Sequence, residues 1–364
     1  MFGRILVKSI ALIANVVVVL LLFIALLATK VSPEKILLPA YTTLIFPIIV
    51  LFNIVFILFW ALAKKWHFLI SLAALIYAAP EIALAIPTHF GKSETALDEK
   101  HITVMTYNVM LTGMLVKDTD ENPNKVIRLI RAQDADVVCL QEFSVSPEKK
   151  YLTESDIRKA FRDYPYKHIT YKYRSNWSLV GIATFSKFPI VKRDTVHFDS
   201  DYNLCQFSDI VVDGDTVRFV NVHLESNRLT HQDKLMPVEL KDNFNTENLS
   251  GTTLHLSRKL GAAYRVRAVQ ADSVAAMVRR SSHKTVICGD FNDLPLSYSY
   301  SRIKGKMKDA YAESGFGPGY TYNESIFRFR IDHIFCSQEF GVLDCKIIKD
   351  KASDHYPVIA KIKI

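Results

Sequence analysis

The chain has 364 residues, 49% of them hydrophobic, and a formal net charge of +8 at pH 7. Its first 92 residues contain seven Lys or Arg against Glu34 and Glu81, so this stretch accounts for +5 of the charge. The other +3 is spread over the remaining residues, which is too diffuse to indicate a surface built for a polyanion. The basic net charge therefore says little about the substrate.

Three long apolar segments fill the first ninety residues, and only the last contains a charged residue, Glu81, beside Pro80. Each is about long enough to cross a hydrocarbon core of roughly 30 Å. A cleaved signal peptide would show one short apolar region followed by polar sequence. We therefore predict a transmembrane anchor over residues 1–92 that contacts the lipid bilayer, with two or three spans at about 9–29, 36–63 and 68–86.

The third segment and the orientation of the anchor depend on charge. Glu81 is costly in lipid, so the third segment either crosses with Glu81 facing the other spans or lies in the interface. Lys and Arg before the first segment and after the second slightly outnumber those between them. With three crossings this bias places the soluble part outside the cytoplasm, whereas two crossings reverse the orientation.

The cysteines show no spacing typical of a zinc site. Several lie in apolar, strand-like runs, so we interpret them as small buried hydrophobic residues rather than as a disulfide pair. They leave the redox compartment open. The five cysteines are Cys139, Cys205, Cys288, Cys336 and Cys345.

Residues 93–100 are predicted to be an exposed linker, and residues 101–364 a catalytic domain. Two amphipathic helices are predicted, Lys125 to Ala132 and Leu260 to Arg280. Because strands outnumber helices, two packed sheets with helices outside are expected. The predicted strands are Ile102–Tyr107, Val137–Leu140, Val180–Phe185, Thr216–Val222, Thr285–Cys288, Ile331–Phe335 and Val358–Ile362.

Acidic, amide and imidazole side chains recur immediately after apolar strand-like runs, where a strand end would deliver them to one rim of a sheet. Taken singly, each has an ordinary structural explanation, such as a turn residue or a helix-start acid. The recurrence at six places is what indicates function. The residues are Asn108, Glu142, His223, Asp290 with Asn292, Asp332, and Asp354 with His355.

These residue types suit hydrolysis of a phosphate ester. Hard cations such as Mg²⁺ take carboxylate and amide oxygens and keep waters that a phosphate can displace. The sequence shows no phosphate-binding glycine loop, GxSxG motif or nucleophilic cysteine arrangement, which leaves water as the nucleophile. Water needs a base, and a histidine held by an aspartate serves near neutral pH.

In this order, the motifs resemble those of the endonuclease/exonuclease/phosphatase family, which includes DNase I, abasic-site nucleases, inositol polyphosphate 5-phosphatases and neutral sphingomyelinases. GDFN at 289–292, IDHI at 331–334, SDHYPV at 353–358 and GIATFSKFPI at 181–190 carry the resemblance, which covers about residues 101–364. It implies an α/β protein, a four-layer α/β sandwich of the DNase I-like fold, with a metal-dependent phosphoric ester hydrolase activity.

The resemblance also implies a metal site for Mg²⁺, with Mn²⁺ as the alternative. Glu142 would be the principal ligand, with Asn108 and Asp354 near the same ion. Abasic-site nucleases commonly have a second acid or amide two residues after the Asn, where this chain has Met110. This departure weakens an abasic-site assignment and removes one candidate ligand.

The catalytic roles implied by the resemblance follow the needs of phosphoryl chemistry. His355 would be the general base, oriented by Asp332. Asp290 and Asn292 would hold the attacking water or the scissile phosphate, and His223 would donate to a phosphate oxygen.

The sequence does not identify the substrate. A membrane anchor favours a lipid-headgroup phosphodiester, and the same anchor suits a nuclease; an inositol-phosphate monoesterase and a catalytically silent binding module are the alternatives. Residues 228–259 form a long polar insertion, either a substrate-side lid or a solvated excursion. Four basic residues near the following helix start could meet phosphates, although a solvated face is the commoner explanation. They are Arg258, Lys259, Arg265 and Arg267. No protein partner can be inferred.

Overall fold

The computed structural model describes residues 2–89, 100–119, 121–230, 232–233, 235–236, 246–324 and 327–364. The chain forms two compact units. The first contains residues 1–85, 227–268 and 294–302, and the second contains residues 86–226, 269–293 and 303–364. Apart from Lys100, the predicted linker at 93–100 lies outside the described residues.

Apolar helices make up most of the first unit. They are α1 (Phe2–Leu27), α2 (Leu38–Leu44), α3 (Phe46–Leu62), α4 (Phe68–Tyr77) and α5 (Ala79–Ala85).

One of these helices, within Leu6–Leu27, is long and apolar enough to cross a membrane. The pair α2 and α3 is bent by 74°, and the pair α4 and α5 by 64°, so the described helices give up to three spans if each pair is one span. Pro47 and Pro80 stand at these breaks, where a proline cannot continue the preceding helix. The first predicted span is thus an apolar helix long enough to cross a membrane, and the membrane anchoring and the further spans stay predictions.

The polar insertion belongs to the same unit as the apolar helices. Its second half is not a loop, because helix α9 (Thr246–Arg279) begins within it. The segment 294–302 also belongs to this unit, and Leu296 is buried in one apolar cluster with Leu22, Phe46 and Ile49.

The second unit is an α/β sandwich of two six-stranded sheets. The first sheet has the order β13-β14-β1-β2-β4-β3, and the second β5-β6-β7-β8-β12-β9. The strands are β1 (Ile102–Asn108), β2 (Val137–Val145), β3 (Tyr166–Arg174), β4 (Leu179–Ser186), β5 (Ile190–His197), β6 (Leu204–Val212), β7 (Asp215–His223), β8 (Thr285–Asp290), β9 (Lys308–Asp309), β10 (Tyr322–Glu324), β11 (Phe327–Phe329), β12 (Asp332–Cys336), β13 (Gly341–Ile347) and β14 (Val358–Lys363). The helices after α5 are α6 (Met110–Leu115), α7 (Lys125–Gln133), α8 (Glu154–Ala160), α9, α10 (Tyr298–Lys304) and α11 (Ala310–Ser314).

Each sheet has one parallel pair at its centre, β1 with β2 and β7 with β8. The apolar core lies between the sheets, with Val104 and Cys139 of one sheet and Phe219 and Val286 of the other in a single buried cluster. On the outer face of the first sheet, α7 buries an apolar face that includes Val126. The predicted α/β sandwich is confirmed as two mixed sheets with covering helices.

All seven predicted strands are present, and the predicted helix at 125–132 is α7. The sequence pattern missed several strands, of which β3 and β5 are typical. Both carry partly exposed, charged side chains, because each is the edge strand of its sheet. An edge strand has a weaker alternation of apolar and polar residues than a strand covered on both faces.

Candidate active site

The carboxyl ends of the two parallel strand pairs meet at one rim of the sandwich. Asn108 ends β1, and His223 and Asp290, which are register partners, end β7 and β8. The Asn108 amide joins the two sheets, because its Nδ2 donates to Asp290 Oδ2 at 2.9 Å. The fold thereby brings together residues that are 182 positions apart in sequence.

Glu142 reaches this rim through a β-bulge. The prediction placed it after the strand, but β2 continues to Val145 and Glu142 lies inside it. The register with β4 shifts between Leu140 and Phe143, and Glu142 has a φ of 51°. A bulge redirects a side chain that regular alternation would send elsewhere. Glu142 Oε1 accepts from Asn108 Nδ2 at 3.2 Å, and burial raises the pKa of its carboxyl.

His223 presents an unpaired ring nitrogen to the acids. Its Nε2 lies 3.9 Å from Glu142 Oε1 and 3.9 Å from Asp290 Oδ2. Among the residues that the structure describes, this buried atom has no hydrogen-bond partner. Burial lowers the pKa of His223, so the ring is neutral near pH 7 and can donate to an oxygen placed there.

Gly289, which precedes Asp290, is required by close approach of the neighbouring strand. A Cβ at this position would lie 2.0 Å from the carbonyl oxygen of Val222. The glycine of the GDFN motif therefore lets β8 lie tightly against β7, which keeps Asp290 beside His223.

His355 and Asp332 come to the same rim from strands that run in the opposite direction. Asp332 begins β12 and pairs with Asp290 of β8, and His355 lies before β14, which is antiparallel to β1. Although these residues precede their strands instead of following them, the reversed direction delivers them to the same edge. His355 Nδ1 lies 2.8 Å from Asp332 Oδ2, and its Nε2 lies 3.9 Å from Asp290 Oδ2.

The charges of this group perturb its protonation. Burial by itself lowers the pKa of His355, but the carboxylates of Asp332 and Asp290 outweigh burial and raise it to about 10. Burial, together with the charge of Asp332, raises the pKa of Asp290 to about 6. Asp332 Oδ1 is buried and has no hydrogen-bond partner among the described residues.

The other two predicted residues lie at the edge of this cluster. The Asn292 backbone N–H donates to Asp290 Oδ1 at 2.8 Å, and its amide donates to the Leu224 carbonyl at 3.0 Å. Asp354 is half-buried and accepts from the Ser353 hydroxyl at 3.1 Å. The nearby Asp354 carboxylate adds to the effect of burial on the pKa of Glu142.

Sequence reasoning missed Thr321 and Tyr322, which support the histidine. The Thr321 hydroxyl accepts from the Asp332 backbone N–H at 3.1 Å. The Tyr322 ring lies edge-on to the His355 ring, with centroids 5.1 Å apart, and the two residues form a β-bridge. No apolar strand-like run marked this segment, so only its position in the fold reveals it.

The donor chemistry of the rim fits a divalent cation. Glu142, Asp354 and Asn108 supply carboxylate and amide groups, the donor types that hard cations prefer. In the described part of the chain, Asp290, Asp332 and His355 also bring potential ligand atoms within 4.8 Å of one another. Because His355 Nδ1 and Asp332 Oδ2 are already hydrogen-bonded to each other, this second set is better suited to hold and move a proton than to bind a cation.

An α/β sandwich with acids, amides and two histidines converging on one rim defines a class of metal-dependent phosphoesterases. The model of the endonuclease/exonuclease/phosphatase family matches residues 105–355. The chain therefore belongs to this family, and it is a metal-dependent phosphoric ester hydrolase. A second model, of a domain of unknown function, matches residues 8–83.

The chain is similar to several solved structures. The chain is similar to the human nocturnin catalytic domain, with 17% identity over 72% of this chain and 94% of that chain and a TM-score of 0.51. An endonuclease/exonuclease/phosphatase from Beutenbergia cavernae has 17% identity over 73% and 72% of the two chains, with a TM-score of 0.49. Truncated TDP2 of Caenorhabditis elegans has 19% identity over 72% and 98%, with a TM-score of 0.47. No curated protein matches the chain.

Proposed function

We propose that the chain is a membrane-anchored phosphodiesterase that uses a divalent cation and a histidine-activated water, with a phospholipid headgroup or a nucleic acid as substrate. One observation carries this proposal: the Nε2 atoms of His355 and His223 both lie 3.9 Å from Asp290 Oδ2. His355 is hydrogen-bonded to Asp332 through Nδ1, whereas His223 Nε2 has no partner among the described residues. A water and a phosphate held at this point would meet a base on one side and a donor on the other.

Each residue then has a separate role. His355 Nε2 takes the proton of the attacking water, and Asp332 fixes the ring through Nδ1 and stabilises the imidazolium that forms. Asp290 and Asn292 orient the water or the phosphate. His223 donates from its unpaired Nε2 to a phosphate oxygen, where negative charge increases during the reaction.

Glu142 is our candidate for the principal ligand of Mg²⁺ or Mn²⁺, with Asp354 and Asn108 beside it. The Asn108 amide nitrogen faces Glu142 and Asp290, so it also holds the Glu142 carboxylate in place. When bound, the cation would neutralise charge on the phosphoryl group.

The protonation of His355 is consistent with a cation requirement. With a pKa of about 10, the ring of the metal-free protein carries a proton at neutral pH and cannot act as a base. A divalent cation beside the acids would repel this proton and lower the pKa toward the working range.

The anchor favours a lipid-headgroup phosphodiester. A helix within Leu6–Leu27 that is apolar enough to cross a membrane would confine the chain to a bilayer surface. We extend this to a three-span anchor with the catalytic unit outside the cytoplasm, following the distribution of Lys and Arg. The presence of Glu142, Asp290, Asp332 and His355 at one rim argues against a catalytically silent module.

The test is an assay of the full chain in detergent with Mg²⁺ against sphingomyelin and other phospholipids, plasmid DNA and inositol phosphates. His355→Ala is expected to lower turnover at least ~10²-fold, the low end of general base catalysis. His197→Ala, at an exposed position on β5, is the matched control and should retain activity. Equal turnover of the two variants would remove His355 from its role.

A further inference from the structure

Four basic residues of α9 differ in their surroundings. Lys259 bonds to the buried Asp233, which His255 also contacts, and Arg267 is buried and donates to Asn227 at 3.0 Å. By contrast, Arg258 and Arg265 are exposed. Of these four residues, Arg258 and Arg265 are therefore the most accessible on the surface of the helix.

The two exposed arginines lie among exposed apolar side chains. At 100° per residue, the arginines and these apolar residues lie within about 120° of arc on one face of the first part of α9. Leu254 is 51% exposed and Val266 38% exposed, and the exposed Ala262 lies between them on the same face. We call this face the outer stripe; it consists of Leu254, Arg258, Ala262, Arg265 and Val266.

The adjoining face of the same helix packs on α2, the short helix between α1 and α3. The Tyr41 hydroxyl donates to the Ser257 carbonyl at 2.7 Å, and the rings of Tyr41 and Tyr264 lie 5.9 Å apart. Gly261 permits this approach, because a Cβ there would lie 2.4 Å from the Tyr41 hydroxyl. The helix is thus fixed to the anchor within one compact unit.

The contact between α9 and Tyr41 lies at an end of the apolar helices. Helix α3 has 17 residues, which rise about 25 Å and nearly cross a hydrocarbon core alone. Helix α2, which carries Tyr41, turns away from α3 by 74° and so runs along a membrane surface if α3 crosses the membrane. A helix packed on α2 would lie at the same level.

We propose that the outer stripe of α9 binds the headgroup layer of an anionic lipid bilayer; this rests on the membrane anchoring in the proposed function. Leu254, Ala262 and Val266 enter the apolar boundary, and Arg258 and Arg265 meet lipid phosphates with their apolar stems against the acyl region. The insertion is then a membrane-contacting part of the anchor.

The experiment uses the full chain in vesicles of phosphatidylcholine, with or without phosphatidylserine. The five native cysteines are buried, so a thiol-reactive fluorophore will label an introduced cysteine selectively. Leu254→Cys and Val266→Cys report on the outer stripe. Leu20→Cys, at an exposed position of α1, reports on the anchor, and Val191→Cys, at an exposed position of β5, is the aqueous control.

Quenching by lipid-attached spin labels is expected at positions 254, 266 and 20, but not at 191. Quenching at position 254 gives the ratio of membrane-bound to unbound outer stripe. In vesicles that contain phosphatidylserine, replacing Arg258 and Arg265 by Gln should lower this ratio by roughly fivefold per arginine. The matched pair Lys192→Gln and Arg193→Gln on β5 should change nothing. All variants should hydrolyse a soluble phosphodiester such as bis(p-nitrophenyl) phosphate at the unlabelled rate, which verifies that each is folded.

Quenching at 20 but not at 254 or 266 would overturn the outer-stripe proposal and leave the anchor and the hydrolase intact. Quenching that is equal with and without phosphatidylserine would overturn the choice of an anionic lipid. Absence of quenching at 20 would overturn the anchoring, and with it this proposal, while the assay of the soluble substrate tests the hydrolase separately.

Discussion

Two of the buried polar clusters among the described residues are built in opposite ways. Between the apolar helices, Asn15 Oδ1 accepts from Trp60 Nε1 at 3.0 Å, and its Nδ2 donates to Ser71 at 2.6 Å. All three side chains are buried and uncharged. At the rim of the sandwich, buried acids and histidines lie together, and His223 Nε2 and Asp332 Oδ1 lack partners among the described residues.

This difference indicates that the cluster between the helices stabilises the fold, whereas the cluster at the rim is arranged to bind a ligand. When buried neutral groups hydrogen-bond to one another, those bonds offset the free energy lost by removing the groups from water. Buried charged groups with unpaired atoms lack this full compensation. Such groups persist at functional sites because the reaction needs them. Substitutions should therefore affect activity in one cluster and stability in the other.

The largest effect is expected for Asp290→Asn. The change removes a carboxylate that lies between two histidines, so turnover should fall at least ~10²-fold. Stability should fall much less than activity, because burial and Asp332 already disfavour the charge of Asp290 and raise its pKa, which offsets the lost attraction between Asp290 and the His355 ring. Steady-state kinetics and thermal unfolding in EDTA measure the two effects; a loss of stability with activity retained would contradict the comparison.

The second prediction concerns pH. The pKa of His355 is raised to about 10 in the folded, metal-free protein, so its stabilising contribution is complete below about pH 6.5 and is lost as pH rises toward 10. Between pH 6.5 and 8, stability in EDTA should fall by roughly 1.4 kcal/mol per pH unit.

Asp332→Asn should flatten this decline, which denaturant unfolding at several pH values can measure. His168→Gln is the control. Burial lowers the pKa of His168 to about 4, so its contribution is lost only as pH falls below about 6.5, and the decline above this pH should remain. Stability that rises between pH 6.5 and 8 would contradict the assignment.

A smaller effect is expected for Asn15→Ala. It leaves the Trp60 N–H and the Ser71 hydroxyl without their partner, which should cost about 1–2 kcal/mol. Because no group of the catalytic rim is altered, kcat/KM for a soluble phosphodiester should remain within about twofold of the unaltered chain. Thermal unfolding in detergent and the same kinetic assay test both statements.

The smallest effect is expected for Asn53→Leu, the matched control for Asn15. Asn53 is buried on α3, but it donates only within its own helix, to the Ile49 carbonyl, and its Oδ1 has no partner among the described residues. Replacing it by an apolar side chain of similar size should change stability by less than about 0.5 kcal/mol or increase it. A loss as large as that of Asn15→Ala would remove the distinction between completed and incomplete hydrogen bonding.

Much of the sandwich could be predicted because covered strands are apolar on both faces. Most of the predicted strands are of this kind, whereas the edge strands β3 and β5 carry exposed charges and were missed. The insertion was treated as a loop because its polar sequence shows little periodicity. Its helix is instead held by contacts such as that of Tyr41 with Ser257, which depend on residues 216 positions apart.

The sequence by itself determined the residue types of the site, the apolar anchor segments and the family, since these follow from local composition and motif order. Only the tertiary structure decided how they combine: antiparallel strands bring Asp332 and His355 to the end of the parallel pairs, and a bulge turns Glu142 toward the same rim. The physical reason is that strand direction and register are set by pairing between distant segments, whereas a motif records only its own neighbours in the chain.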